Sequence, residues 1–168
     1  YFYEGEGMVS SNVDDALRAE GITEGNPNEL LSDLDVQGGG PIWRDRAWFF
    51  VDYWNFEIEK KVLGITENDG TQLRDWTLNL NGQINDNNKI SGRFIQTVKY
   101  RNNRGASRNS PYLGRIQDSS TMIPQLQWQS VLNQNVFMDI RYSTVRSDFP
   151  LVRRDGNSSE AGAPYQNW

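Results

Sequence analysis

The 168-residue sequence contains no histidine and no cysteine. Their absence excludes disulfide bonds, cysteine nucleophiles, histidine general bases and the commonest soluble metal sites. Long apolar runs are also lacking, since the longest, around residues 47–51, is far shorter than the roughly 18 residues that a transmembrane helix requires. Basic residues are outnumbered, with 17 Lys and Arg against 22 Asp and Glu, and this net charge of −5 argues against nucleic acid as a partner.

Aromatic residues are abundant for so polar a chain. The sequence is only 36% hydrophobic, yet it holds six Trp, seven Tyr and seven Phe. Disordered chains are poor in aromatic residues, so the composition predicts a folded chain whose apolar surface is concentrated in large rings.

Alternation with a period of two is the dominant pattern and predicts β-strands. In residues 76–84, Trp76, Leu78, Leu80 and Ile84 alternate with Thr and amide side chains, so one strand face is apolar and the other is polar. The same alternation predicts further strands at residues 1–8 in part, 34–42, 47–59, 89–100, 122–132 and 136–149, and a helix at 12–20 capped by Asn12. In residues 47–59 both faces are apolar: Ala47, Phe49, Val51 and Tyr53 form one, and the other has Trp48, Phe50, Trp54, Phe56 and Ile58 but includes Asp52. We assign the first to the lipid-facing side near the tight turn.

The connections between the predicted strands alternate in length. Short connections lie near residues 43–46, 85–88 and 133–135, and long polar ones lie near 9–33, 60–71, 101–118 and 148–168. All short connections therefore lie at one end of the sheet and all long ones at the other. The sequence predicts an all-β fold, an antiparallel up-and-down meander of about seven long strands.

Three features favour a transmembrane β-barrel over a soluble sheet. The strands are long enough to cross a bilayer at a tilt, the polar faces are rich in Asn, Gln, Thr, Ser and Arg as in an aqueous lumen, and short turns lie opposite long loops. We therefore predict a section of a large barrel with periplasmic short turns and extracellular long loops, located in the outer membrane. The predicted lipid-facing residues are Trp76, Leu78, Leu80, Ile84, Ile90, Phe94, Val98, Leu126, Trp128, Val136, Met138 and Ile140.

Three segments resemble one family of barrel proteins. Residues 39–53, GGPIWRDRAWFFVDY, strongly resemble the corresponding segment of TonB-dependent receptors of the Oar-like type. Residues 78–93, LNLNGQINDNNKISGR, and 129–142, QSVLNQNVFMDIRY, are similar to barrel hairpins of that family. The resemblance spans nearly all of residues 1–168, but no segment resembles the plug, the TonB box, the signal sequence or the terminal strand, so we expect an internal slice of the barrel.

The resemblance implies that the parent protein is an energy-coupled outer-membrane transporter, a plugged barrel of about 22 strands. The implied partners are outer-membrane lipid and the remainder of the barrel or other envelope proteins. TonB would act only through parts of the parent outside these residues. The slice would supply wall and loops and no catalytic site.

Four groups of residues are candidates for binding. Arg101, Arg104, Arg108 and Arg115 fall in one predicted loop, where guanidinium groups suit an anionic ligand or remain solvated. Carboxylate pairs could hold Ca²⁺ through oxygen ligands or be solvated loop charge; they are Asp14 with Asp15, Asp33 with Asp35, and Glu67 with Asp69. Glu57 and Glu59 share a strand face and could form an acid and base pair, or mark emergence from the membrane. Four Trp residues would form the interfacial belt of a barrel or stack on sugars in a soluble protein; they are Trp43, Trp48, Trp76 and Trp128.

The alternative to the barrel is a soluble β-sandwich or adhesin-like module that binds glycans or a partner protein. An up-and-down sheet in such a module could show the same alternation. The two differ in what covers the apolar face, which is lipid in the barrel and a second sheet in the sandwich.

Overall fold

The computed structural model describes residues 1–8, 10, 13–21, 25, 27–62, 66–106 and 114–153. Long strands dominate it, with one short helix and one 3-10 turn. In chain order the elements are β1 (Phe2–Gly5), a 3-10 turn (Glu6–Met8), α1 (Asp15–Ala19), β2 (Asn28–Trp43), β3 (Ala47–Lys60), β4 (Asp69–Asn85), β5 (Asn88–Arg104), β6 (Arg115–Asn133), β7 (Val136–Ser143), β8 (Arg146–Asp148) and β9 (Leu151–Arg153).

All strands belong to one antiparallel sheet. Strands β1 to β7 lie side by side in chain order, and β8 and β9 also pair with β6. The prediction of an all-β up-and-down meander is therefore confirmed. In the described part of the chain β1 and β7 do not pair with each other, so the sheet is open.

The last three strands run along β6 as one interrupted strand, which explains why the sequence predicted a single strand at 136–149. Pairing of β7 ends at Gln125 opposite Ser143, and pairing of β8 begins at Met122 opposite Arg146. The break lies opposite Pro124, which has no N–H to donate to a neighbouring strand. Pro150 separates β8 from β9 in the same way.

The strands are longer than predicted at the end of the long connections. β4 begins at Asp69, and the β5–β6 pair extends to Arg104 opposite Arg115. The connection predicted at 101–118 is therefore reduced to residues 105–114. These extensions are polar, and their side chains bond across strands, as Arg101 does to Asp69 and Arg104 to Gln117.

The three short connections are tight turns, as predicted. Asp45 has a φ of 61° at the first turn, where Arg46 N–H donates to the Trp43 carbonyl at 3.0 Å. In the other two turns an Asn side chain, Asn85 or Asn133, accepts a backbone N–H two residues later, at 3.0 and 2.9 Å. Asn side chains stabilise turns in this way, so local chemistry fixes these connections.

The predicted helix is shorter than expected and has a different cap. α1 begins at Asp15, and the Asp14 side chain accepts the Leu17 N–H at 2.9 Å. The expected cap, Asn12, lies outside the described residues. An aspartate cap satisfies one of the N–H groups that the first helical turn leaves unpaired.

The described residues contain almost no hydrophobic core. Only one apolar side chain, Val13, is buried, with 8% of its surface exposed. A soluble β-sandwich places one face of each sheet against the other and buries many apolar side chains. The single sheet therefore leaves its apolar residues uncovered within the described part of the chain.

Candidate functional site

Strand register divides the sheet into two chemically different faces. Pairing places Tyr53 beside Trp76, Phe49 beside Leu80, and Leu78 beside Phe94 on one side. We call this side the apolar face; it also carries Ala47, Val51, Ile84, Ile90, Val98, Leu126, Trp128, Val136, Met138, Ile140 and Tyr142. The opposite side is the amide face, formed by Asn79, Asn81, Gln83, Ser91, Arg93, Gln125, Gln127, Gln129, Asp139 and Arg141.

All twelve residues predicted to face lipid lie on the apolar face, and so does the chosen face of residues 47–53. The register decides the ambiguous strand, because Tyr53 pairs with Trp76 whereas Trp54 pairs with Asp75. Sequence alone could not decide it, since both faces of β3 are apolar.

Burial on β4 is the reverse of that in a soluble sheet. Trp76, Leu78 and Leu80 are exposed, with 48%, 37% and 43% of their surface accessible, whereas Thr77 and Asn79 between them are half-buried. On β4 the apolar side chains are therefore the more accessible ones. On β5 the order is different, since Arg93 of the amide face is exposed and Phe94 of the apolar face is half-buried.

On β3 and β4 the apolar face ends at an aromatic pair. The rings of Tyr53 and Trp76 lie 4.3 Å apart, and the residues beyond them on these two strands are polar or charged: Asn55, Glu57, Gln72 and Arg74. On β5 the face continues to Val98, the register partner of Arg74. From Trp76 to Ile84 the strand rises about 26 Å at roughly 3.3 Å per residue, which is about 20 Å along the axis of a barrel with strands tilted at 35–45°.

The lower limit lies at the tight turns, where two Trp residues have polar neighbours. The Arg46 guanidinium lies over the Trp43 ring at 5.3 Å. Trp128 donates its indole N–H to the Asn88 side chain at 3.2 Å. Trp48 does not belong with them: it pairs with Asn81 on the amide face, so the expectation that all four Trp residues form one belt is wrong for Trp48.

The arginine cluster is largely engaged within the chain. Arg101 forms a two-pronged ion pair with Asp69, with Nε at 2.9 Å from the carboxylate, and these hydrogen bonds raise the pKa of the Arg101 guanidinium above its usual value. Arg104 donates to Gln117 and lies over the Phe149 ring at 5.2 Å. Arg115 is exposed, and Arg108 lies outside the described residues. The proposed anion site therefore has fewer available guanidinium groups than the sequence suggested.

A buried polar network joins the strands above the apolar face. Asn103, Gln117 and Ser119 have 2%, 2% and 8% of their surface exposed. Gln117 donates to Ser119 at 2.9 Å, and Asn103 donates to the carbonyl of Asn68 at 2.8 Å. Sequence reasoning missed these residues because some partners are distant in the chain, as Asn103 and Asn68 are at 35 positions apart, and such pairs leave no local pattern.

The candidate calcium ligands have other roles in the described structure. Asp14 caps α1, Asp33 accepts the indole N–H of Trp54 at 2.7 Å, and Asp69 binds Arg101. Among the described residues no group of three or more acidic side chains is arranged to hold a metal ion. Glu59, one of the two strand glutamates, accepts a hydrogen bond from Asn68 at 3.4 Å.

Comparisons of the chain with models of known families, with curated proteins and with solved structures found no match. Within the part of the chain that the structure describes, no helix has the length and apolar character needed to cross a membrane.

Proposed function

We propose that the chain is a section of the wall of an outer-membrane β-barrel of the TonB-dependent receptor kind. The observation that carries the proposal is the uncovered apolar face: among the described residues only one apolar side chain is buried, and Trp76, Leu78 and Leu80 are exposed. Soluble proteins seldom expose apolar patches larger than a few hundred Å², and a larger patch marks a membrane or protein interface. Lipid is the environment in which an outward apolar face is stable.

The dimensions of the apolar face support the same function. Its extent of about 20 Å along a tilted axis, with Tyr53 and Trp76 at one edge and Trp43 and Trp128 near the other, is close to the apolar band of about 25 Å with aromatic girdles in such barrels. On β4 to β7 the opposite face carries mainly amides and charges, which suits a wet interior; on β3 it carries Trp48, Phe50 and Trp54.

The layout of the connections also agrees with this class of barrel. Tight turns join β2 to β3, β4 to β5 and β6 to β7, and long connections lie at the other end of the sheet. In outer-membrane barrels the short turns are periplasmic and the long loops extracellular. The resemblance of residues 39–53 to Oar-like receptors falls on one such turn and the strand after it.

The open sheet requires a partner in this proposal. An unpaired backbone group in hydrocarbon costs several kcal/mol. The edge of β2 over residues 34–43, which β1 does not reach, and the outer edge of β7 must therefore be paired with further strands. The remainder of the barrel would supply them. Energy coupling through TonB and the choice of transported substrate would reside in the whole transporter.

Fractionation of cells that produce the intact protein tests the location. We expect it in the outer-membrane fraction, resistant to alkaline washing and released by detergent, because the apolar face would be in lipid. Recovery in the soluble fraction without detergent would refute the barrel and revive the glycan-binding or adhesin-like sandwich.

A further inference from the structure

The amide face holds a cleft that the proposed function does not use. The cleft has a volume of about 400 Å³ and is centred on β4, β5 and β6, within the range of roughly 300–1,000 Å³ typical of small-ligand sites. Its polar lining consists of Asn79, Asn81, Ser91, Arg93, Gln125 and Gln127, with Phe50 at one side. The lining residues fall in two adjacent rows across the strands, because Asn79, Arg93 and Gln125 are register partners, as are Asn81, Ser91 and Gln127.

Four of these polar side chains have no partner within the described part of the chain. They are Asn79, Asn81, Arg93 and Gln125. Several other strand amides are engaged: Gln117 bonds Arg104 and Ser119, and Gln129 bonds Asp139. The cleft thus brings four polar side chains with unused hydrogen-bonding capacity side by side.

The chemistry of the cleft defines a ligand class. Amide side chains both donate and accept, which matches vicinal hydroxyl groups, and the partly exposed rings of Phe50 and Trp48 offer flat apolar surfaces for a pyranose ring. Arg93 is the single cation in the lining, and a guanidinium binds a carboxylate with two parallel hydrogen bonds. Three acids of the same face, Asp35, Asp52 and Asp75, lie on β2 to β4, away from Arg93 on β5. A fourth, Asp139 on β7, accepts hydrogen bonds from Gln127 and is paired with Arg141 at 2.8 Å.

We propose that this cleft binds an oligosaccharide that carries carboxylate groups, of the uronate class. Arg93 would bind the carboxylate, and the amides of β4 and β6 would hydrogen-bond to the hydroxyl groups. Phe50 would pack against the face of a sugar ring. The inference rests on the proposed function in one respect: a closed barrel would make the amide face the wall of an aqueous lumen.

Calorimetric titration of the intact protein in detergent tests the ligand class, with tri-galacturonate and the neutral maltotriose as probes. We expect saturable binding of tri-galacturonate, and an affinity about tenfold or more lower in Arg93→Gln, because the variant loses a charge-assisted hydrogen bond to the carboxylate. Arg74→Gln, on the opposite face of β4, is the matched control and should bind as the unchanged protein does. Absence of saturable binding, equal affinity in Arg93→Gln, or equal affinity for maltotriose would overturn the proposal.

Cysteine labelling keeps the test independent of the folding of Arg93→Gln. Since the chain has no cysteine, Asn81→Cys provides a single reactive thiol in the cleft. Tri-galacturonate should slow its reaction with a water-soluble maleimide and leave Thr71→Cys, on the same face nearer the long connections, unaffected. No protection, or a thiol that is unreactive even without sugar because a polypeptide segment fills the cleft, would overturn the proposal. Neither outcome bears on membrane location, which fractionation tests separately.

Discussion

Leu80→Arg should destabilise the folded protein by about 2–4 kcal/mol, whereas Asn81→Arg should change its stability by less than about 1 kcal/mol. Leu80 lies midway along the apolar face, between Phe49 and Gly92 on the neighbouring strands, with 43% of its surface exposed. In a barrel its side chain would be near the bilayer midplane, where an arginine is most unfavourable. Asn81, one residue later, is on the amide face, where the same guanidinium would be hydrated.

Urea unfolding of the protein in lipid vesicles, followed by Trp fluorescence, measures both variants against the unchanged chain. Residues 80 and 81 are adjacent on the same strand, lie at nearly the same depth and receive the same substitution. The difference between the two losses of stability therefore reports only the face on which each side chain lies. Equal losses in the two variants would contradict the assignment of faces, and no loss in either would contradict contact with lipid.

Gly39→Ala should lower the free energy of unfolding by about 1–3 kcal/mol, because the added methyl group has no space. A Cβ at residue 39 would lie 2.7 Å from the backbone carbonyl oxygen of Phe49 and 3.2 Å from Cα of Phe50. Both are backbone atoms of a paired strand, so β2 and β3 would have to separate locally. This glycine belongs to the Gly-Gly-Gly-Pro run, where the sequence suggested a bend or a close approach; the structure shows the close approach.

Gly38→Ala is the matched control for this prediction. A Cβ at residue 38 has no neighbour within 4 Å, and alanine reduces the conformational entropy of the unfolded chain, so the variant should be unchanged or slightly more stable. The same unfolding experiment compares the two. If Gly39→Ala were as stable as Gly38→Ala, the close packing of β2 on β3 would be incorrect.

The sequence was most informative where apolar and polar residues alternate and where turns have local chemistry. The strands at 47–59 and 76–84 and the turns at Asp45, Asn85 and Asn133 follow from patterns within a few residues. The orientation of β3 could not be predicted in this way, because Trp54 and Phe56 make its second face as apolar as its first. Only the pairing of Tyr53 with Trp76 on β4 shows which face of β3 continues the apolar face of the sheet.

The candidate binding residues were less predictable, since their partners are distant in the sequence. The four arginines were grouped by proximity, but Arg101 is fixed by Asp69, 32 residues earlier, and Arg104 by Gln117 on the next strand. The amide cleft was also missed. Its residues come from different strands, and each looks like one member of a polar strand face until the register places them side by side.

The most direct test of an outward face in lipid is a single-cysteine scan of residues 76–84 in native outer membranes. The absence of natural cysteine makes each variant report one position. The reaction of each cysteine with a water-soluble maleimide is measured relative to that of the denatured protein. Cysteines at residues 78, 80 and 82 should be shielded and those at 77, 79 and 81 should react, so that reactivity alternates with a period of two. Uniform reaction, or the opposite parity, would contradict the assignment of the apolar face to lipid.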